Sequence, residues 1–122
     1  MTTKEVGKLL VELCNKGENV KAIQTLYAKN ILSVEPMAMP PRAAEARGLE
    51  EVLGKSKWWV ENHEVHSGKA IGPFVARNQF VVQFDYDVTV KKTGQRMQMR
   101  ETGLYTVTDG KVAKEEFFYL VE

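Results

Sequence analysis

The sequence is poor in the features that place a chain in a specialised class of protein. Its single cysteine, Cys14, allows no internal disulfide among the 122 residues, so a reducing compartment is expected. No apolar run approaches the length of a signal peptide or a membrane span. Seventeen basic and sixteen acidic residues leave a formal charge of +1, too little to attract nucleic acid or an anionic membrane. These absences predict a cytoplasmic protein that binds neither.

Metal ligands are scarce as well. The two histidines, His63 and His66, lie three residues apart on a predicted strand, so their side chains face opposite sides of it. Side chains that diverge in this way chelate a metal poorly. The sequence therefore predicts no metal site, and we expect no cofactor.

The N-terminal half has the hydrophobic spacing of helices. A period near 3.6 predicts a helix over residues 3–16 and a second short helix with Asn19 as its N-cap. A brief alternation over residues 31–35 predicts a strand ended by Pro36, and a proline-rich loop follows. A third helix is expected to begin near Gly48. The length and the 43% hydrophobic content fit one packed domain over the whole chain, 1–122.

From His63 onward the hydrophobic period changes to that of strands. The run QFVVQFDYDVTVKK alternates apolar and polar residues throughout, and two further strands follow it. Turn signals at Thr93-Gly94 and Asp109-Gly110 predict an antiparallel meander. Helices followed by a long sheet indicate an α+β domain with its helices on one face.

The turn signals also predict which residues face each other. A two-residue tip at Thr93-Gly94 would pair Val90 with Met97 and Tyr86 with Glu101, and would place an Asp87–Arg100 ion pair on the other face. This register gathers the apolar side chains on one side of the sheet. Glu101 lies on that same side.

The last hairpin admits two registers, which differ in the glutamate that they turn inward. A two-residue Asp109-Gly110 turn would bury Lys114 and Glu116. A three-residue loop ending in a left-handed Gly110 would instead bury Glu115 and leave the other two in solvent. Burying one carboxylate costs less than burying a lysine and a glutamate, so the three-residue loop is preferred.

Two carboxylates then share one apolar pocket. In the preferred register Glu101 and Glu115 are diagonal neighbours, and Gly103 leaves space beside them. Each carboxylate raises the proton affinity of the other, and desolvation acts in the same direction. A carboxylate beside a neutral carboxylic acid is suited to general acid–base catalysis, with Tyr105 as a donor to a carbonyl.

Three segments resemble one known family. The phrases LYAKNILSVEP, RGLEEV and VTDGKVAKEEFFY, in this order of elements, resemble the SnoaL-like branch of the nuclear transport factor two-like superfamily, which includes ketosteroid isomerases and polyketide cyclases. The resemblance implies a cone: a curved, mostly antiparallel sheet wrapped around three N-terminal helices, as in cystatin-like folds. It also implies a homodimer formed through the convex face of the sheet.

The resemblance extends to one catalytic position and fails at two others. Glu35, followed by Pro36, matches the general base of the isomerases. Leu10 and Gly103 stand where those enzymes have the tyrosine and the aspartic acid of their oxyanion hole. The resemblance therefore argues against a ketosteroid isomerase reaction.

Together these patterns predict a pocket for a small apolar, carbonyl-bearing molecule. The candidate catalytic residues are Glu35, Glu101, Glu115 and Tyr105. The candidate substrate-binding residues are aromatic or apolar and are Tyr27, Trp59, Phe84, Tyr86, Met99, Phe117 and Tyr119. Three functions fit: an isomerase, cyclase or hydrolase without a cofactor, a non-catalytic ligand carrier, and a dimeric interaction module.

Overall fold

The structure is a computed structural model that describes residues 1–120. Within this range the helices are α1 (Thr3–Asn15), α2 (Asn19–Leu26) and α3 (Leu49–Asn62). The strands are β1 (Tyr27–Val34), β2 (Glu45–Arg47), β3 (His63–Ala76), β4 (Gln79–Val90), β5 (Arg96–Thr108) and β6 (Lys111–Phe118). No helix in this part of the chain is long and apolar enough to cross a membrane.

One curved sheet carries all of these strands in the order β2-β1-β6-β5-β4-β3. Neighbouring strands are antiparallel except β1 and β6, which run parallel. The three helices pack against this unclosed sheet, so the predicted α+β architecture is confirmed. The loop after Pro36 contains β2, a strand too short to leave a periodic signal in the sequence.

A side-chain cap marks the start of α1, while α2 and α3 begin without one. Thr2 accepts a hydrogen bond from the Glu5 backbone, and the Glu5 side chain accepts one from the Thr2 backbone, which completes a capping box before α1. The prediction that Asn19 caps α2 is wrong, because Asn19 is already helical and Glu18 holds the cap position. Gly48 precedes α3 with φ of +87°, a conformation that favours glycine.

The first hairpin is wider than predicted. Residues 91–95 connect β4 to β5, so Val88 lies opposite Met97 and Phe84 lies opposite Glu101. The Thr93-Gly94 tip is therefore wrong, and each pairing shifts by two residues. A shift of two leaves every side chain on its predicted face, because strands alternate with a period of two.

The predicted ion pair is rearranged by the same shift. Asp87 binds Arg96 at 2.8 Å, and Arg100 binds Asp85 at 3.4 Å. The Asp87–Arg100 pair does not form. Both observed pairs lie on the polar face that was predicted for them.

The last hairpin buries the predicted glutamate through a different geometry. Asp109 and Gly110, with φ of 52° and 75°, form the two-residue turn that was rejected above. A β-bulge then leaves Ala113 without a partner, since Val112 pairs with Val107 and the next pair is Lys114 with Thr106. The three-residue loop is wrong, yet the bulge restores the alternation that turns Glu115 inward.

The core lies between the helices and the concave face of the sheet. Tyr105 is buried there, and its ring stacks on Phe80 with centroids 4.8 Å apart. The edge of the Tyr105 ring covers Gly103, where an added Cβ would lie 2.7 Å from Tyr105 Cε2. Gly103 is therefore the surface on which Tyr105 packs.

Replacing Gly103 by alanine should destabilise the fold by about 1–3 kcal/mol, because the Tyr105 ring must leave its stacked position. Gly54→Ala is the matched control, since its Cβ would meet Arg42 at an ordinary 3.5 Å on an α-helix. That control should gain roughly 1 kcal/mol from helix propensity. Urea unfolding of the two variants measures both effects, and equal stabilities would contradict the packing described.

Candidate functional site

A partly enclosed cavity of about 930 Å³ lies between the helices and the concave face of the sheet. Five predicted binding residues line it: Tyr27, Trp59, Phe84, Tyr86 and Phe117. Met99 and Tyr119 are not among the lining residues, although the Tyr119 hydroxyl binds a residue that is. The lining includes two tryptophans, three tyrosines and two phenylalanines together with charged side chains of both signs, so the cavity offers a ligand both apolar surface and polar groups.

All four candidate catalytic residues line this cavity. Glu35 follows the end of β1, Glu115 lies on β6, and Glu101 and Tyr105 lie on β5. Since β1, β6 and β5 are consecutive in the sheet, each of three adjacent strands brings one carboxyl group to the cavity.

Glu115 is the most deeply buried of the three carboxyl groups, with 3% of the residue exposed. The Tyr27 hydroxyl donates to its Oε1 at 2.6 Å, and the Ser33 hydroxyl donates to its Oε2 at 3.3 Å. Burial raises the pKa of Glu115, while nearby Lys55 and the two donors act in the opposite direction. Glu115 therefore joins β6 to β1 and is already occupied on both oxygens.

Lys55 is a site residue that the sequence analysis missed. Its ammonium donates a hydrogen bond to Ser33 Oγ and lies 3.5 Å from Glu35 Oε2. It also lies 5.2 Å from the centre of the Phe117 ring. A signal was present, because Lys55 comes three residues after buried Val52 on α3 and so shares the helix face that packs inward.

Glu35 is also held on both oxygens. The Tyr119 hydroxyl donates to Oε1 at 3.2 Å, and the Lys55 ammonium lies beside Oε2. Neither oxygen of Glu35 is therefore left without a partner. The position matched to the isomerase base is thus a partner of Lys55 in this chain.

Glu101 differs from the other two. Among residues 1–120 no side chain donates a hydrogen bond to its carboxyl group. Burial, followed by the negative charges of Glu35 and Glu115, raises the pKa of Glu101 to about 7. Its carboxyl group therefore faces the cavity and exchanges a proton close to neutral pH.

The predicted contact between Glu101 and Glu115 requires a correction. Glu115 lies opposite Tyr105, and Phe117 lies opposite Gly103, so Glu101 and Glu115 are not diagonal neighbours. The space expected beside Gly103 is filled by the Tyr105 ring. The two carboxyl groups interact electrostatically across the cavity wall and do not share a hydrogen bond.

Three other side chains that could act as a nucleophile or a metal ligand are buried or already in contact with a neighbour. Burial raises the pKa of the Cys14 thiol to about 12, which makes it a poor nucleophile. The His63 ring stacks on Trp59 at 4.5 Å, and His66 Nε2 lies 2.7 Å from Thr89 Oγ1. Within residues 1–120 no three His, Cys, Asp or Glu side chains are grouped so as to hold a metal ion.

Comparison with known families agrees with this architecture. A family model described as the SnoaL-like domain matches residues 1–119. The chain belongs to the SnoaL-like family. A search of the curated proteins finds no match to this sequence.

Solved structures extend the similarity. A candidate SnoaL-like polyketide cyclase from Mesorhizobium loti, also described as a carbohydrate phosphatase, is 45% identical over 98% of this chain and 100% of its own, with a TM-score of 0.92. A nuclear transport factor two-like protein from Burkholderia thailandensis has a TM-score of 0.81 at 18% identity, covering 97% and 90% of the two chains. A Catenulispora acidiphila protein with a ketosteroid isomerase-like fold, solved with trimethylamine, has a TM-score of 0.75 at 19% identity over 98% and 88%. The last two establish the fold alone.

Removing the Tyr27 hydroxyl tests the burial of Glu115. Tyr27→Phe leaves Glu115 Oε1 buried without its donor, so we expect a loss of about 1–3 kcal/mol in the free energy of unfolding at neutral pH. Tyr119→Phe is the matched control, because it removes a longer bond to a carboxylate that keeps Lys55. Denaturant titration that shows equal losses in both variants would contradict this ranking.

The raised pKa of Glu101 predicts a pH-dependent stability. Ionisation is disfavoured in the folded state, so this group weakens the fold progressively as pH rises from its ordinary value of 4.5 to about 7. The free energy of unfolding of Glu101→Gln, relative to that of the wild type, should therefore rise by roughly 3 kcal/mol between a pH below this window and a pH above it. Unfolding free energies at both pH values measure the gain, and Glu61→Gln on the surface of α3 controls for loss of a charge. A pH-independent difference would show that Glu101 titrates normally.

Proposed function

We propose that this protein catalyses cofactor-independent proton transfer on an apolar small molecule with a carbonyl group, with Glu101 as the general base. The observation that carries the proposal is a carboxyl group that has no hydrogen-bond donor among residues 1–120, faces a cavity lined in part by aromatic side chains and has a pKa of about 7. A base of this pKa is half ionised at neutral pH and takes up and returns a proton readily.

The chemistry follows from the position of that carboxylate. Glu101 removes a proton from the carbon next to the carbonyl, the C–H electrons form a carbon–carbon double bond, and the carbonyl electrons move to oxygen. The product is an enolate beside a neutral glutamic acid. Return of the proton to another carbon completes an isomerisation. Alternatively, the enolate carbon attacks a second carbonyl of the same molecule and closes a ring, and the alkoxide that results takes the proton back from Glu101.

Glu101 is a better candidate for the base than the other carboxylates. Glu35 is engaged by Tyr119 and Lys55, and Glu115 by Tyr27 and Ser33, so neither presents a free oxygen to a ligand. These two instead contribute negative charge that favours the protonated form of Glu101.

The description of the Mesorhizobium loti relative supports the same class of reaction. That protein is described as a candidate polyketide cyclase. Ring closure in a polyketide by aldol addition starts with removal of a proton next to a carbonyl, which is the step assigned here to Glu101. A cyclase and an isomerase therefore require the same base.

Deuterium exchange tests the proposal without a known substrate. A panel of apolar cyclic ketones is incubated with the protein in D₂O, and incorporation next to the carbonyl is followed by NMR. The wild type should accelerate exchange with at least one ketone, and the rate should rise with pH and level off above about 7, since the base must be ionised. Glu101→Gln should lower the rate by about 100-fold or more.

Two controls make the exchange experiment decisive. Glu116→Gln alters the carboxylate that follows Glu115 in the chain, points away from the cavity and pairs with Lys114. This variant should keep the wild-type rate. An unchanged rate in Glu101→Gln would remove Glu101 from the base position. Ketone binding without exchange by the wild type would instead support a ligand carrier.

A further inference from the structure

The proposed reaction leaves one charge without an assigned partner. When Glu101 accepts the proton it becomes neutral, and the negative charge moves to the former carbonyl oxygen. An enolate oxygen in an apolar cavity needs a strong donor placed beforehand. The two positions that carry such donors in the isomerases are Leu10 and Gly103 here, and neither has a polar side chain.

Lys55 is a cation within the same cavity. Its side chain is 19% exposed, and both it and Glu101 line the cavity wall. Its positive charge lowers the pKa of Glu101, in opposition to burial and to the two neighbouring carboxylates. An ammonium group has three N–H donors, and Ser33 Oγ and Glu35 Oε2 are its two acceptors among residues 1–120. One N–H therefore has no acceptor in the described part of the chain.

The surrounding network holds the Lys55 ammonium in place. Glu115 accepts the Ser33 proton, which orients the Ser33 oxygen lone pairs toward Lys55. Tyr27 fixes Glu115 from the other side, and Tyr119 fixes Glu35. The Phe117 ring closes a further side of the ammonium at 5.2 Å. A lysine restrained in this way loses little freedom when it binds a ligand oxygen.

We infer that Lys55 is a catalytic residue of this site, donating its remaining N–H to the enolate oxygen that forms when Glu101 removes a proton. The inference rests on the proposed function and adds the group that stabilises the product of its first step. Proton and charge balance, because the carboxylate charge lost at Glu101 reappears on the substrate oxygen beside Lys55. Tyr105 also faces the cavity, but a neutral hydroxyl is a weaker donor to an oxyanion than an ammonium group.

An ionisable probe tests this inference without turnover. We would use 2-naphthol, whose apolar body fits an aromatic cavity and whose ionised oxygen resembles that of an enolate. The absorption spectrum distinguishes bound naphtholate from bound naphthol. The wild type should bind the naphtholate form near neutral pH, well below the pH at which the free probe ionises.

The variants separate the charge of Lys55 from its structural role. Lys55→Met keeps the length of the side chain and removes the charge, so the ratio of bound naphtholate to bound naphthol should fall about 100-fold. Lys55→Arg keeps the charge and should retain most of the ratio. Lys57→Met, on the exposed side of α3, is the matched control and should leave the ratio unchanged. Circular dichroism establishes that each variant is folded.

The outcomes distinguish this inference from the proposed function. An unchanged ratio in folded Lys55→Met, or no saturable binding of the probe by the wild type, would overturn the role of Lys55. Loss of ketone exchange in Glu101→Gln together with an unchanged ratio in Lys55→Met would leave the base in place and remove the oxyanion donor.

Discussion

The site depends on the burial of one carboxylate between two parallel strands. Glu115 on β6 lies beside Ser33 on β1 in the sheet register, and it accepts hydrogen bonds from Ser33 and from Tyr27 at the start of β1. A buried carboxylate without these donors would cost several kcal/mol. The strand pairing and the polar network therefore require each other. Because Ser33 is held in the sheet, its hydrogen bonds also fix the positions of Glu115 and Lys55.

Lys55 connects this part of the sheet to the helices. The ammonium reaches from α3 to Ser33 and to Glu35 beyond the end of β1, so one side chain joins the helix layer to the sheet layer inside the cavity. A buried ion pair of this kind contributes little net stability compared with apolar packing. The role inferred for Lys55 above, donation to a ligand oxygen, gives a reason for placing this pair in the cavity.

The sequence predicted correctly that Glu101 and Glu115 lie on the concave face of the sheet, but it did not predict which residues pair across neighbouring strands. Alternation in β4 and β5 placed Glu101 on the concave side correctly, since a register error of two residues does not change the face. The bulge at Ala113 could not be predicted, because neither alanine nor its neighbours are specific for a bulge. Glu115 was placed inward from the cost of burying Lys114, and that energetic argument held although the turn was wrong. Lys55 was missed because lysine usually lies in solvent, and only its spacing from Val52 argued otherwise.

The three carboxylates show how one residue type acquires different properties within a single cavity. Glu35 has a cation and a hydroxyl donor, Glu115 has two hydroxyl donors, and Glu101 has neither kind of partner among residues 1–120. At Glu101 burial and the negative charges of Glu35 and Glu115 outweigh the opposing charge of Lys55, and its pKa is about 7. The network around Glu115 and Glu35 keeps negative charge near Glu101 without offering it a donor, and under the proposed function this is what prepares Glu101 to act as the base. On that proposal the base of this chain lies on β5 and not at the end of β1, while the cone is retained.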